Sequence, residues 1–79
     1  MSDVTPHPHL HHFYVDGKEY PTEKPSLTGL EIKTIAGVPG NYQLFLEEEG
    51  NAPDRAISDG EAIGVNKKHF FAVPPATFG

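Results

Sequence analysis

Apolar and polar residues alternate with a period of two over two stretches of this chain, run together in a third, and recur with a helical period over one. In His12–Tyr20, Phe13 and Val15 share one face and Tyr14 takes the other. Asp16-Gly17 interrupts the alternation with a two-residue turn signal, because Gly adopts φ > 0 at no steric cost, and the stretch predicts a hairpin. Its return strand starts at Lys18 and soon meets Pro21 and Pro25. Proline cannot donate a ladder hydrogen bond, so this is an edge strand. In Asn41–Glu47, Leu44 and Leu46 alternate inward with Tyr42, which turns Gln43, Phe45 and Glu47 outward. His69–Val73, with two adjacent aromatics and a β-branched residue, predicts a buried strand.

Leu27–Gly37 carries the helical period. Thr28 and Glu31 have the spacing of a capping box, and Leu27 and Ile32 that of a hydrophobic staple. Ile32, Ile35 and Ala36 form an i, i+3, i+4 stripe expected to face the sheet. Gly37 suits a left-handed C-terminal cap, and Pro39-Gly40 a type II turn. Glu47-Glu48-Glu49 leads into a polar loop through Asp54 and reads as a solvated charge run. Ala56-Ile57 and Ala62-Ile63 flank a Ser58-Asp59-Gly60 turn. They are brief, and are expected to cross the open end of the core as an irregular segment.

Composition narrows the function classes. Seventy-nine residues make one small domain. Residues 1–11 lack periodicity and read as a disordered His- and Pro-containing tail, 12–73 as the folded domain, and 74–79 as a projecting C-terminal tail. Without cysteine there is no disulfide or thiolate metal site, which fits a reducing cytoplasm. Six Lys and Arg against eleven Asp and Glu give a net charge of −5, which argues against nucleic acid as a partner. No apolar run has the length of a membrane span. A soluble cytoplasmic monomer is expected. His7, His9, His11 and His12 crowd together, but their spacing matches no compact zinc pattern and no carboxylate or thiol stands among them, so no metal site is assigned. No nucleophile–base motif or phosphate-cradling glycine loop appears, and the chain does not read as an enzyme.

The candidate chemistry sits at the C-terminus. Pro74 and Pro75 stop the last strand, because both fix φ and neither can donate. From there Ala76, Thr77 and Phe78 lead to Gly79, and an extended run of about 3.3 Å per residue reaches roughly 20 Å. A terminal glycine can enter a narrow channel and present its carboxylate to attack.

The order of elements is hairpin, helix, strand, crossing segment, last strand and glycine tail. It resembles the ubiquitin-like β-grasp, an α+β fold with a mixed four- to five-stranded sheet packed on one α-helix. Tyr14-Val-Asp-Gly-Lys-Glu-Tyr20, Leu27-Thr-Gly-Leu-Glu-Ile32, Ala36-Gly37 and His69-Phe-Phe-Ala-Val-Pro74 resemble the bacterial multiubiquitin family. Some members of that family carry tandem copies, whereas this chain has one. The resemblance implies a modifier conjugated through Gly79. Its partners would be an E1-like activating enzyme, an E2-like conjugating enzyme, a JAB-type peptidase and a target protein. ATP would be used by the activating partner and no cofactor bound here. Pro74, Pro75, Ala76, Thr77 and Phe78 would be the tail that partners recognise. Related modifiers usually end in Gly-Gly, so Phe78 implies a dedicated activating enzyme.

Alternation in the last strand turns either Phe70 and Ala72 or Phe71 and Val73 toward the helix. The resemblance to ubiquitin implies that this strand lies centrally beside the first and favours Phe70 and Ala72 inward. Phe71 and Val73 then join Phe45 in an outward, partner-binding patch. A β-grasp sulfur carrier, with a terminal thiocarboxylate, and a non-covalent interaction domain are the alternative readings.

Overall fold

The structure is a computed structural model and describes residues 10–76. In chain order the elements are β1 (His11–Val15), β2 (Lys18–Thr22), β3 (Ser26–Thr28), α1 (Gly29–Ala36), β4 (Gln43–Leu46), β5 (Arg55–Ile57), β6 (Ala62–Gly64) and β7 (His69–Val73). The main sheet runs β2-β1-β7-β4-β5, and β3 pairs with β6 in a second, two-stranded sheet. β7 lies between β1, to which it is parallel, and β4, to which it is antiparallel. With α1 laid over this mixed sheet, the architecture is the ubiquitin-like β-grasp.

The hairpin forms where alternation and turn chemistry agree. Asp16 (φ 52°) and Gly17 (φ 81°) both take the left-handed conformation that matches the twist of a two-residue connection. β2 lies at the sheet edge and continues past Pro21 to Thr22, which pairs with His11. That extension brings His11, assigned from sequence to the disordered tail, into β1. Phe13 and Val15 enter the core with Leu27, Ile32, Leu44, Leu46, Ile57, Val65 and Phe70. Phe13 and Phe70 meet edge to face at 6.2 Å between centroids, a favoured aromatic geometry.

The segment expected to be irregular forms two strands. β5 continues the main sheet beside β4, and β6 pairs with β3 through Leu27 opposite Ile63. Three-residue strands leave too short an alternation to recognise in sequence.

Helix α1 begins with the capping box. The Thr28 hydroxyl accepts from Glu31 N–H at 3.2 Å, and the Glu31 carboxylate accepts from Thr28 N–H at 2.8 Å. It ends at Gly37, whose φ of 73° allows its N–H to reach the carbonyls of Lys33 and Thr34. Its phase differs from the expected one. The inward stripe is Gly29, Ile32, Lys33 and Ala36, while Ile35 is 40 % exposed. Gly29 sets this rotation, since a Cβ there would lie 2.3 Å from the Ser58 carbonyl oxygen. Lys33 completes it by donating to the carbonyls of Gly40 (2.8 Å) and Tyr42 (3.0 Å). Those two bonds also hold the following turn, in which Tyr42 N–H donates to the Pro39 carbonyl. Gly40 is not in the positive-φ region, so the expected type II turn is not formed.

Candidate functional site

The site is built on β7 and its two neighbours. Backbone alternation decides what each strand shows. Opposite residues in an antiparallel pair point to the same face, and β4 and β7 align Phe45 with Phe71, Leu44 with Ala72, and Gln43 with Val73. Leu44 and Phe70 are fully buried beneath the helix. Phe45 and Phe71 therefore lie on the opposite face, half-buried, with their rings stacked at 5.1 Å and 12°. Val73 follows Phe71 on that face and is 41 % exposed. The register thus gathers Phe45, Phe71 and Val73 on one surface.

Sequence reading missed the continuation of this surface onto β1. Tyr14 lies opposite His69 in the parallel pair, and the two rings stack at 4.4 Å and 7°. The aromatic strip crosses three adjacent strands, β1, β7 and β4. The signal was present in the alternation, because Tyr14 is outward in β1 and His69 precedes Phe71 by two residues. Only the pairing of the first strand with the last brings them together. Glu19, opposite Tyr14 on β2, borders the strip on one side and approaches His12 Nε2 at 3.9 Å. Glu47, whose N–H donates to the His69 carbonyl, borders it on the other.

A second apolar surface lies on the far side of α1, where Leu30 and Ile35 stand exposed above Leu27. The Lys24–Glu31 pair rims it at 2.9 Å. The Glu31 carboxyl is held below the usual carboxylate range, first by the Thr28 backbone N–H and then by the Lys24 ammonium.

Pro74, Pro75 and Ala76 follow β7 as exposed backbone outside any regular element. Thr77, Phe78 and Gly79 lie outside the described residues, as do His7 and His9. Among the described residues no group of three or more His, Cys, Asp and Glu side chains is placed to hold a metal ion. No helix among them is long and apolar enough to cross a membrane.

Residues 12–74 match the family described as multiubiquitin, a span that starts in β1 and runs through all of β7 to Pro74. The chain belongs to the multiubiquitin family. No curated protein and no solved structure matches it. Within the multiubiquitin domain, the matched span contains the whole aromatic strip and the first residue of the tail.

Proposed function

We propose that this chain is a bacterial, cytoplasmic ubiquitin-like modifier, activated at Gly79 by a dedicated E1-like enzyme and transferred by an E2-like enzyme to a target protein. The observation that carries this reading is how the backbone leaves the last strand of a multiubiquitin-family fold. β7 is the central strand, locked on both sides, and the backbone leaves it at Pro74 and Pro75 as an exposed segment. A rigid handle whose last strand runs out into exposed backbone suits a substrate that other enzymes must thread.

In this reading the Gly79 carboxylate attacks the α-phosphorus of ATP and displaces pyrophosphate, giving an acyl adenylate. A carrier-enzyme thiol then displaces AMP, and a target amine finally displaces the thiol to leave an amide. The chain contributes the carboxylate and the recognition surface, and the partners contribute the catalysis. A JAB-type peptidase would cut the same bond or trim the tail. The Phe45, Phe71 and Val73 surface is the docking patch for these partners, since contiguous apolar area open to solvent marks interaction sites.

The test is incubation with an E1-like partner and ATP. The expected product is a thiol-sensitive adduct through Gly79, absent when Gly79 is deleted from an otherwise folded chain. An ATP-dependent adduct formed equally by the deletion variant would overturn the mechanism. A stable mass increase equal to replacing one oxygen by sulfur would point to the sulfur carrier.

A further inference from the structure

The root of the tail is tied to the hairpin turn by one side chain. Glu47 N–H donates to the His69 carbonyl, which aims the backbone polar groups of His69, Phe71 and Val73 at β4. Those of Phe70 and Ala72 face β1. The Phe70 carbonyl accepts from Asp16 N–H at 3.0 Å. At Ala72, however, β1 has already turned away, because the parallel pairing ends at Val15 opposite Phe70. The Asp16 carboxylate takes the place of the missing strand and accepts from Ala72 N–H at 3.3 Å. The next residue to face this side is Pro74, which has no N–H. Ala72 is therefore the last backbone donor on the β1 side of β7, and Asp16 is its partner.

We propose that Asp16 is a positioning residue for the C-terminal segment. It latches the backbone at Ala72 and so fixes where, and in which direction, the tail leaves the sheet. Three properties meet in this one residue. It tolerates φ 52° in the turn, anchors the turn to Phe70 through its own N–H, and offers a carboxylate to Ala72, two residues further along β7. Asp and Asn accept the left-handed conformation more readily than other non-glycine residues. An Asp at the first position of this turn thus serves the hairpin and the tail together. The consequence for activation rests on the modifier reading above. A tail held at its root reaches an activating enzyme partly ordered, which lowers the ordering cost of threading.

Asp16→Gly and Asp16→Asn separate the latch from the turn. Glycine keeps the positive φ without strain and removes the acceptor, whereas asparagine keeps both. The first measurement is amide hydrogen exchange at Ala72, with Phe71, whose N–H faces β4, as internal reference. Asp16→Gly is expected to lose about twofold to tenfold of the protection at Ala72, the range of one exposed hydrogen bond, with Phe71 unchanged. Asp16→Asn is expected to retain most of it. Unchanged exchange at Ala72 in Asp16→Gly overturns the latch, as does equal loss at Ala72 and Phe71, which means general loosening. The second measurement is ATP–pyrophosphate exchange by an E1-like enzyme. KM for the chain should rise several-fold in Asp16→Gly with kcat held, and Asp16→Asn should restore it. A parental KM with a freed Ala72 overturns the positioning role. No exchange with any variant, the parent included, counts against the modifier reading, and the Ala72 measurement then decides the latch by itself.

Discussion

Lys33 Nζ and Asp59 Oδ1 lie 2.6 Å apart, the lysine side chain 4 % exposed and the aspartate 56 %. The pair joins the inward face of α1 to the turn between β5 and β6. Two backbone carbonyls, of Gly40 and Tyr42, complete the surroundings of the ammonium. A charge in such a position persists only when it is paired and hydrogen-bonded. Asp59→Ala leaves the ammonium without its counter-charge and is expected to cost about 1.5–3 kcal/mol, the range for hydrogen bonds to charged groups. In a Lys33→Met background the same change should cost less than about 0.5 kcal/mol. Urea unfolding of the four variants measures the coupling. Equal costs in both backgrounds would show that the pair contributes nothing.

Gly29 makes an opposite prediction to helix propensity. In an exposed helix, Gly→Ala stabilises by about 1 kcal/mol. Here the new methyl would meet the Ser58 backbone, with its oxygen at 2.3 Å and its carbon at 2.9 Å. Gly29→Ala should destabilise by about 1–3 kcal/mol, as overpacking does. The Ser58–Glu61 amides should shift in the NMR spectrum. A rise in Tm would show that the turn gives way freely.

The two isoleucines of α1 should behave differently. Ile32 is fully buried, and Ile32→Ala is expected to cost about 2–5 kcal/mol through lost burial and a cavity. Ile35→Ala should stay within about 1 kcal/mol, since its side chain already meets solvent. Thermal melts of the pair decide between this helix phase and the one that the i, i+3, i+4 reading suggested.

The aromatic strip is tested by adjacent phenylalanines. Phe70→Ala removes a fully buried ring and should cost about 3–5 kcal/mol. Phe71→Ala loses the stack on Phe45, and should cost about 0.5–1.5 kcal/mol. Partner binding should respond in the reverse order when each variant is studied below its Tm. Strong destabilisation by Phe71→Ala with unchanged binding would end the docking proposal for this face.

Glu31 gives a pH dependence of known sign. Its folded-state pKa is lowered, chiefly by the Thr28 backbone N–H and then by Lys24. The resulting stabilisation is fully present above the unfolded-state carboxylate value and is lost as pH falls through the lowered folded value. Glu31→Gln should flatten that acid limb of the stability curve. A limb of unchanged steepness would assign the effect to other carboxylates. Thr28→Ala, measured near neutrality, should cost about 1 kcal/mol through the lost cap.

Local chemistry made much of this protein legible in its sequence. Asp16-Gly17 specifies a hairpin turn by backbone sterics, and Thr28 with Glu31 specifies a helix start by satisfying two donors. Alternation placed Phe13, Val15, Leu44 and Leu46 inward, because side chains in a strand alternate faces whatever lies around it. The family motifs lie in these same local segments. Tertiary structure decided what depends on partners distant in the chain. Two helix phases compete in α1, one burying Ile35 and the other Lys33, and hydrophobicity favours the wrong one. The choice turned on the Ser58 backbone against Gly29 and on acceptors at Gly40, Tyr42 and Asp59. β5 and β6 exist because β4 and β3 stand beside them, since so few residues carry no strand signal alone. The Tyr14–His69 stack and the Asp16–Ala72 bond join residues more than fifty positions apart. They exist only because the last strand enters the sheet beside the first, where its backbone donors meet a hairpin that has already turned away.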